Sequence, residues 1–207
     1  MQAKRRLERL PSYSEELGLD LNRARDRFKW FLASMLFAKR ISAKTAKRTY
    51  VKFERAGITT PKRILDAGWD RVVELLDSGG YTRYDFSTAT KLLNVCESLK
   101  ERYGSLERLY VSARDSKELE KKLMEFKGVG PTTASIFLRE LRPVWKKADP
   151  EPSRLAVSVA EKLGLRGDEI KSLESQLVRL GLEYCKPKRC QSCPVKKSCK
   201  YPKVSIS

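Results

Sequence analysis

The chain has 207 residues, 41% of them hydrophobic, enough to bury a core without disulfide staples as one domain or two small lobes. With 44 basic against 26 acidic residues it carries a formal charge of +18, a surplus that points to a polyanionic partner, nucleic acid first among them. It contains no histidine, which excludes His-based triads and His-ligated zinc and leaves Asp, Glu, Lys, Tyr or Cys for acid–base work. No apolar run approaches a membrane span. The basic start at Met1–Arg9 is followed by P-S-Y-S-E-E-L rather than an apolar stretch, so the reading is an intracellular protein of cytoplasm, nucleoid or nucleus.

Strand signals are scarce and helical periodicity is widespread, which predicts an all-α protein. After a polar N-terminal arm, residues 27–38 form a helix with Phe28, Phe31, Leu32, Met35 and Leu36 on one face. Ser42 caps a helix over 43–54 that Gly57 ends, and Thr60 with Pro61 opens a short helix to Asp66. Another short helix spans 69–76. A Ser78-Gly79-Gly80 break leads to Tyr81, and a long helix over 86–103 turns Ala89, Leu92, Leu93, Cys96 and Leu99 inward before Gly104 stops it. Cys96 on that face reads as a small buried hydrophobe. Ser116 caps a helix to Phe126, and residues 132–141 form the next. Asp149-Pro150 starts a segment that turns helical near Arg154 and ends near Gly164; a last helix covers 167–182.

Between Leu123 and Ala134 the chain reads L-M-E-F-K-G-V-G-P-T-T-A. Gly128 and Gly130 permit positive φ and close backbone approach, and Pro131 suits the first position of a new helix whose positive end faces the same spot. Lys127, Gly128, Val129, Gly130 and Thr133 thereby become candidates for gripping a DNA phosphate. The plain alternative is a helix C-cap followed by a tight turn. Four cysteines crowd the tail as Cys185-x4-Cys190-x2-Cys193-x5-Cys199, a ligand spacing for either zinc or an iron–sulfur cube. A single C-x2-C pair with unequal flanking gaps favours [4Fe-4S]. Lys186, Lys188, Arg189, Lys196 and Lys197 lie between those cysteines, where a stiffened loop would present them to phosphates; the alternative is a solvated charged loop.

With the hairpin, Asp149 and the cysteine tail together, the chain resembles the endonuclease III family of helix-hairpin-helix DNA glycosylases, the branch with an iron–sulfur cluster. The match covers most of the chain. F-K-G-V-G-P-T-T-A stands where that family has L-P-G-V-G-x-K-T-A, and Asp149 follows at the distance of the family's aspartate. The first cysteine gap is two residues shorter than the family's usual one. L-F-A-K at Leu36–Lys39 is similar to the stretch that fills the gap left by an extruded base, with Lys39 in place of glutamine. Gly80 stands where an intercalating side chain often precedes the family's tyrosine, here Tyr81.

The resemblance implies a two-lobed helical fold. A six-helix barrel would span 28–141, with the helix-hairpin-helix at about 119–141; residues 1–27 and 142–207 would form the second lobe, with the cluster at 185–199. DNA would lie between the lobes with a flipped nucleotide facing Asp149. Family members that also cut the strand carry lysine where this chain has Thr132, which cannot form a Schiff base. The resemblance therefore implies a monofunctional, monomeric glycosylase that leaves an abasic site in double-stranded DNA, with a [4Fe-4S] cluster or zinc at Cys185, Cys190, Cys193 and Cys199. A bifunctional enzyme using another lysine (Lys127, Lys146 or Lys147), a DNA-binding protein without catalysis, and an RNA-binding zinc-knuckle protein are the competing readings. Arg154 reads as a structural ion-pair partner. The candidate substrates are uracil or thymine opposite guanine, alkylated purines, oxidised bases and deaminated purines.

Overall fold

The computed structural model describes residues 2–200; within them it is helical throughout, with no strand. The helices are α1 (Gln2–Glu8), α2 (Tyr13–Glu16), α3 (Ala24–Phe37), α4 (Ala43–Arg55), α5 (Pro61–Ser78) and α6 (Asp85–Arg102). They continue with α7 (Leu106–Ser112), α8 (Ser116–Met124), α9 (Pro131–Leu141), α10 (Arg154–Leu163), α11 (Asp168–Ser172) and α12 (Glu174–Leu180). A π turn at Gly181–Cys185 and a 3-10 turn at Cys190–Ser192 follow. Among the described residues no helix is long and apolar enough to cross a membrane. The chain divides into two compact units, Leu17–Pro150 and the two ends, up to Glu16 and from Glu151.

The larger unit is α3 to α9 wrapped around a core of Trp30, Phe31, Leu32, Leu36, Tyr50, Phe53, Ile64, Leu76, Tyr81, Leu92, Phe126 and Phe137. These are the apolar faces that periodicity predicts, and burying each such side chain stabilises the fold by about 1.5–3 kcal/mol before entropy is charged against it. The Trp30 indole donates to the Phe137 carbonyl at 3.2 Å, so the one polar atom of that buried ring is satisfied. Cys96 is buried as expected, and burial pushes its thiol up to about 12, which makes it an inert hydrophobe. The smaller unit packs α1, α10 and α12 around Leu7, Val159, Leu163, Leu177 and Val195.

Local chemistry sets the helix ends. Ser42 and Thr60 cap α4 and α5 as expected, each accepting from the N–H three residues on. Three expectations need correction. The residues predicted as a polar arm form α1, because Ala3 and Leu7 recur at helical spacing and both are buried. The cap of α8 is Asp115, whose carboxylate accepts from Glu118 N at 2.8 Å, with Ser116 already inside the helix. The stretch predicted as one helix over 167–182 is two, broken at Leu173 (φ −112°, ψ 13°), then tightened into the π turn. In α5 the two short predicted helices meet at Gly68, whose φ of 76° interrupts the run where only glycine is unstrained.

Candidate functional site

The hairpin is held from below by three buried side chains, Leu123, Phe126 and Val129, and closed by Val129 N donating to Phe126 O at 2.9 Å. The Phe126 ring stands edge-on to Tyr103 at 6.1 Å, fixing the hairpin against the end of α6. Of the two glycines only Gly128 has positive φ, 120°. Gly130 is ordinary extended backbone (φ −101°, ψ −179°), so the expectation that both need positive φ is corrected. Their surroundings differ too. A Cβ on Gly128 would stand 2.7 Å from Lys91 Cβ, whereas one on Gly130 would meet nothing within 4 Å.

Gly130 is the N-cap of α9, Pro131 its first residue, and no side chain caps it, in contrast to α4, α5, α7, α8 and α10. The first N–H groups of α9 therefore have no partner from a cap and point to the open side of Gly130 with the positive end of the helix dipole. Lys127 and Thr132 are exposed. Val129 and Thr133 are each 4% exposed, so their side chains belong to the packing under the hairpin and only their backbone could meet a ligand.

The other predicted DNA-facing stretches of the larger unit converge on this hairpin. The Tyr81 hydroxyl, buried below the Gly79-Gly80 turn, donates to Leu36 O at 2.7 Å, seating the Gly80-Tyr81 segment on Leu36–Lys39. Gly79 touches α4 so closely that a Cβ would sit 2.5 Å from Thr49 Cα, and Arg48 Nε donates to Gly79 O at 2.7 Å. Lys39 in turn lies against Lys91 of α6, and the Lys91 stem covers Gly128. Lys91 is a residue that sequence reasoning missed, since it sits 52 positions from Lys39 on a helix read only for its apolar face.

Asp149 stands at the end of an irregular segment, 142–150, with its side chain 46% exposed. It caps no helix. The cap of α10 is Ser153, which accepts from Ala156 N at 3.3 Å, so the Asp149 carboxylate stands outside any helix. Arg142 holds the segment's two ends together: its Nε lies 3.4 Å from Asp149 Oδ1 and its Nη2 donates to Pro150 O at 2.6 Å. Between them, Trp145 is stacked on Tyr110 at 4.5 Å, meets Phe137 edge-on at 5.7 Å, and has the Arg27 guanidinium 5.8 Å from its ring centre. Such ring and cation contacts each stabilise by about 0.5–1.5 kcal/mol beyond burial. Lys147 closes the stack from the other side, 4.4 Å above Tyr110, its ammonium donating to the carbonyls of Tyr110 and Ala113 at 2.7 and 2.6 Å. That is a cation on the C-terminal end of α7, where it meets carbonyls the helix leaves without partners. Lys146 is exposed.

A polar concavity of about 500 Å³ between α6 and α8, lined among others by Arg102, Arg114, Lys121 and Glu125, contains neither Asp149 nor the hairpin glycines. Arg102 pairs there with Glu125, and Arg114 with Glu118, whose carboxyl is held down at about 2 by hydrogen bonds from Arg114.

In the smaller unit the four tail cysteines are free thiols. Cys185, Cys193 and Cys199 pack against the core that contains Val195, itself 1% exposed. The loop is pinned by Arg6 Nη1 donating to Pro194 O at 3.0 Å and by Lys200 N donating to Lys162 O at 2.8 Å. Burial raises the Cys185 and Cys193 thiols; Lys162 draws Cys185 part of the way back, the Val195 backbone does the same to Cys193, and the neighbouring cysteines push both up again. The thiols thus influence one another, but among the described residues no three Cys, Asp or Glu side chains are gathered into a set that could hold a metal ion. Lys186, Lys188, Arg189, Lys196 and Lys197 are all exposed around them, with Lys188 in the left-handed region at φ 57°. Arg154 is exposed at the start of α10.

No family model matches the chain. It is 26% identical over 185 residues, 79% of its own length and 81% of the other's, to a protein of Methanocaldococcus jannaschii provisionally named a DNA repair glycosylase.

Proposed function

We propose that this protein is a DNA repair glycosylase of the endonuclease III-like helix-hairpin-helix type, acting as a monomer on double-stranded DNA with one damaged or mispaired base. The observation that carries the reading is convergence in the larger unit. Leu36–Lys39, Gly80-Tyr81 and the hairpin, each matched separately to a DNA-contacting stretch, are joined through Tyr81 to Leu36 and through Lys39 and Lys91 to Gly128. The likeness to the Methanocaldococcus jannaschii protein supports a glycosylase over a purely DNA-binding role. The net charge of +18 and the exposed cations of both units suit a phosphate backbone.

The target base must leave the stack before its bond to the sugar can be reached, at a cost of a few kcal/mol that damage or mispairing lowers. As the base departs with the bonding electrons, positive charge grows at the sugar C1′, and the Asp149 carboxylate stabilises it. Water then adds to C1′ and gives up its proton, leaving an abasic site. Thr132 has no amine, so the position where strand-cutting relatives carry lysine offers no imine route to strand cleavage. We further propose that Cys185, Cys190, Cys193 and Cys199 hold a [4Fe-4S] cluster that stiffens the tail, presenting its five cations to phosphates at little entropic cost. A panel of duplexes with one lesion each, read with and without alkali, tests the reading. Strand breaks only after alkali are expected for the true substrate; breaks without alkali overturn the monofunctional assignment, and no breaks for any lesion overturn the enzyme.

The two glycines separate fold from binding. Gly128→Ala forces a φ of 120° and a contact with Lys91, so a stability loss of about 1–3 kcal/mol is expected by thermal unfolding. Gly130→Ala meets neither obstacle and is expected to leave stability within about 0.5 kcal/mol while weakening duplex binding, because the methyl would occupy the space a phosphate needs. Unchanged DNA affinity in Gly130→Ala would count against the hairpin as a clamp.

A further inference from the structure

Trp69 and Phe86 are the two exposed aromatic side chains among the described residues, 39% and 61% exposed, and they touch, with ring centres 5.3 Å apart. The pair is fixed in place. The Trp69 indole donates to Thr90 Oγ1 at 3.0 Å, and that hydroxyl donates in turn to Phe86 O at 3.0 Å. Gly68, with its positive φ, breaks α5 immediately before Trp69, so the indole belongs to the first turn of the restarted helix. Rings already ordered lose little side-chain freedom when a partner covers them, and aromatic residues are enriched at the centres of interfaces. At roughly 100° per residue, Thr90, Leu93 and Glu97 lie within about 40° of Phe86 around α6, whereas Lys91, whose stem covers Gly128, lies about 140° away. On α5, Val73 follows about 40° beyond Trp69, with Asp70 and Asp77 further out on that side. Val73 and Leu93 are half-buried and extend the apolar strip.

The charge around this strip is the reverse of the chain's. Residues 66–97 hold six acidic and three basic side chains in a protein of net charge +18. The three cations are engaged elsewhere: Arg71 pairs with Glu74, Arg83 lies over the Tyr84 ring, and Lys91 lies against the hairpin. Asp70, Asp77 and Glu97 are exposed and form no ion pair among the described residues. Exposed rings can stack on bases, but carboxylates at their edge repel a phosphate backbone and attract a cation. We propose that Trp69 and Phe86, edged by Asp70, Asp77 and Glu97, are a docking site for a short cationic segment of a partner protein in which lysine or arginine alternates with aliphatic residues. The aliphatic side chains cover the rings, and the cations take the carboxylates and the ring faces. The site is separate from the hairpin and from Asp149, so a partner seated on it leaves the hairpin side of α6 uncovered.

Trp69 is its own reporter. The other two tryptophans, Trp30 and Trp145, are buried, so acrylamide quenching of the full chain reads Trp69 above all. Three synthetic peptides of about twelve residues are the probes, alternating lysine with leucine, lysine with serine, and glutamate with leucine. The lysine–leucine peptide is expected to shift emission to the blue and to lower the quenching constant roughly twofold, with the other two and duplex DNA leaving Trp69 open. Phe86→Ala is expected to weaken that peptide by about fivefold or more, and Asp70→Asn with Glu97→Gln by about threefold with a shallower salt dependence, the melting temperature of each variant staying at the wild-type value. No protection by the lysine–leucine peptide, equal protection by either of the other peptides, or wild-type affinity in either variant overturns the docking site. Protection of Trp69 by duplex DNA overturns it too, making the face a nucleic-acid contact. Base excision is read separately by the lesion panel, so each of these outcomes leaves the glycosylase reading to its own test.

Discussion

Asp149→Asn is expected to reduce base release from the reactive lesion by on the order of 100-fold or more in single-turnover assays, with duplex affinity and melting temperature nearly unchanged. The substitution removes a charge while keeping the shape. An asparagine oxygen can still accept from Arg142, and the side chain is 46% exposed, so little packing is at stake. The loop that carries it is held by other groups, the Trp145–Tyr110 stack and the Lys147 ammonium on the α7 carbonyls, none of which the change touches. Loss of excision with binding retained therefore reports on chemistry at C1′. Unaltered excision would remove Asp149 from the mechanism, and equal losses of excision and binding would make it a DNA contact.

The second large effect is expected at the tail. Protein purified without oxygen should contain iron and acid-labile sulfide in equal amounts with visible absorption, and a double Cys190→Ser, Cys193→Ser variant should lose both signals. It should also become susceptible to proteolysis beyond about Tyr184, since Val195, the Arg6–Pro194 bond and the Lys200–Lys162 bond would be the remaining anchors. Duplex affinity should fall roughly tenfold or more as Lys186, Lys188, Arg189, Lys196 and Lys197 lose their fixed places. Zinc without iron would replace the cube by a tetrahedral site, and metal-free protein with full DNA affinity would overturn the tail's role.

Much of the fold is written locally. The apolar spacing of α3 and α6, the caps at Ser42 and Thr60 and the stop at Gly104 are short-range signals, and the helices formed where those signals placed them. Misplaced ends arose where two residues compete for one cap. Asp115 outranks Ser116, because its backbone is extended when the first turn of α8 closes and its carboxylate accepts from Glu118 N. The candidate site was legible only in part. Thr132, Asp149 and the hairpin stand out through the resemblance to a known motif, but the residues that hold them do not. Arg142 reaches Asp149 across a loop, Trp145 finds Tyr110 from 35 positions away, and Lys91 meets both Lys39 and Gly128 from a helix with no motif.

By itself the sequence determined the helical class, the basic surface, the cysteine tail and the absence of an amine at position 132, since each is a property of residue type or short-range spacing. The tertiary structure decided which glycine of the hairpin is constrained and which is open, and that the Lys147 ammonium sits on the carbonyls at the end of α7. Those outcomes depend on side chains from separate helices meeting at atomic distance, and burial together with neighbouring charge then sets what each group can do.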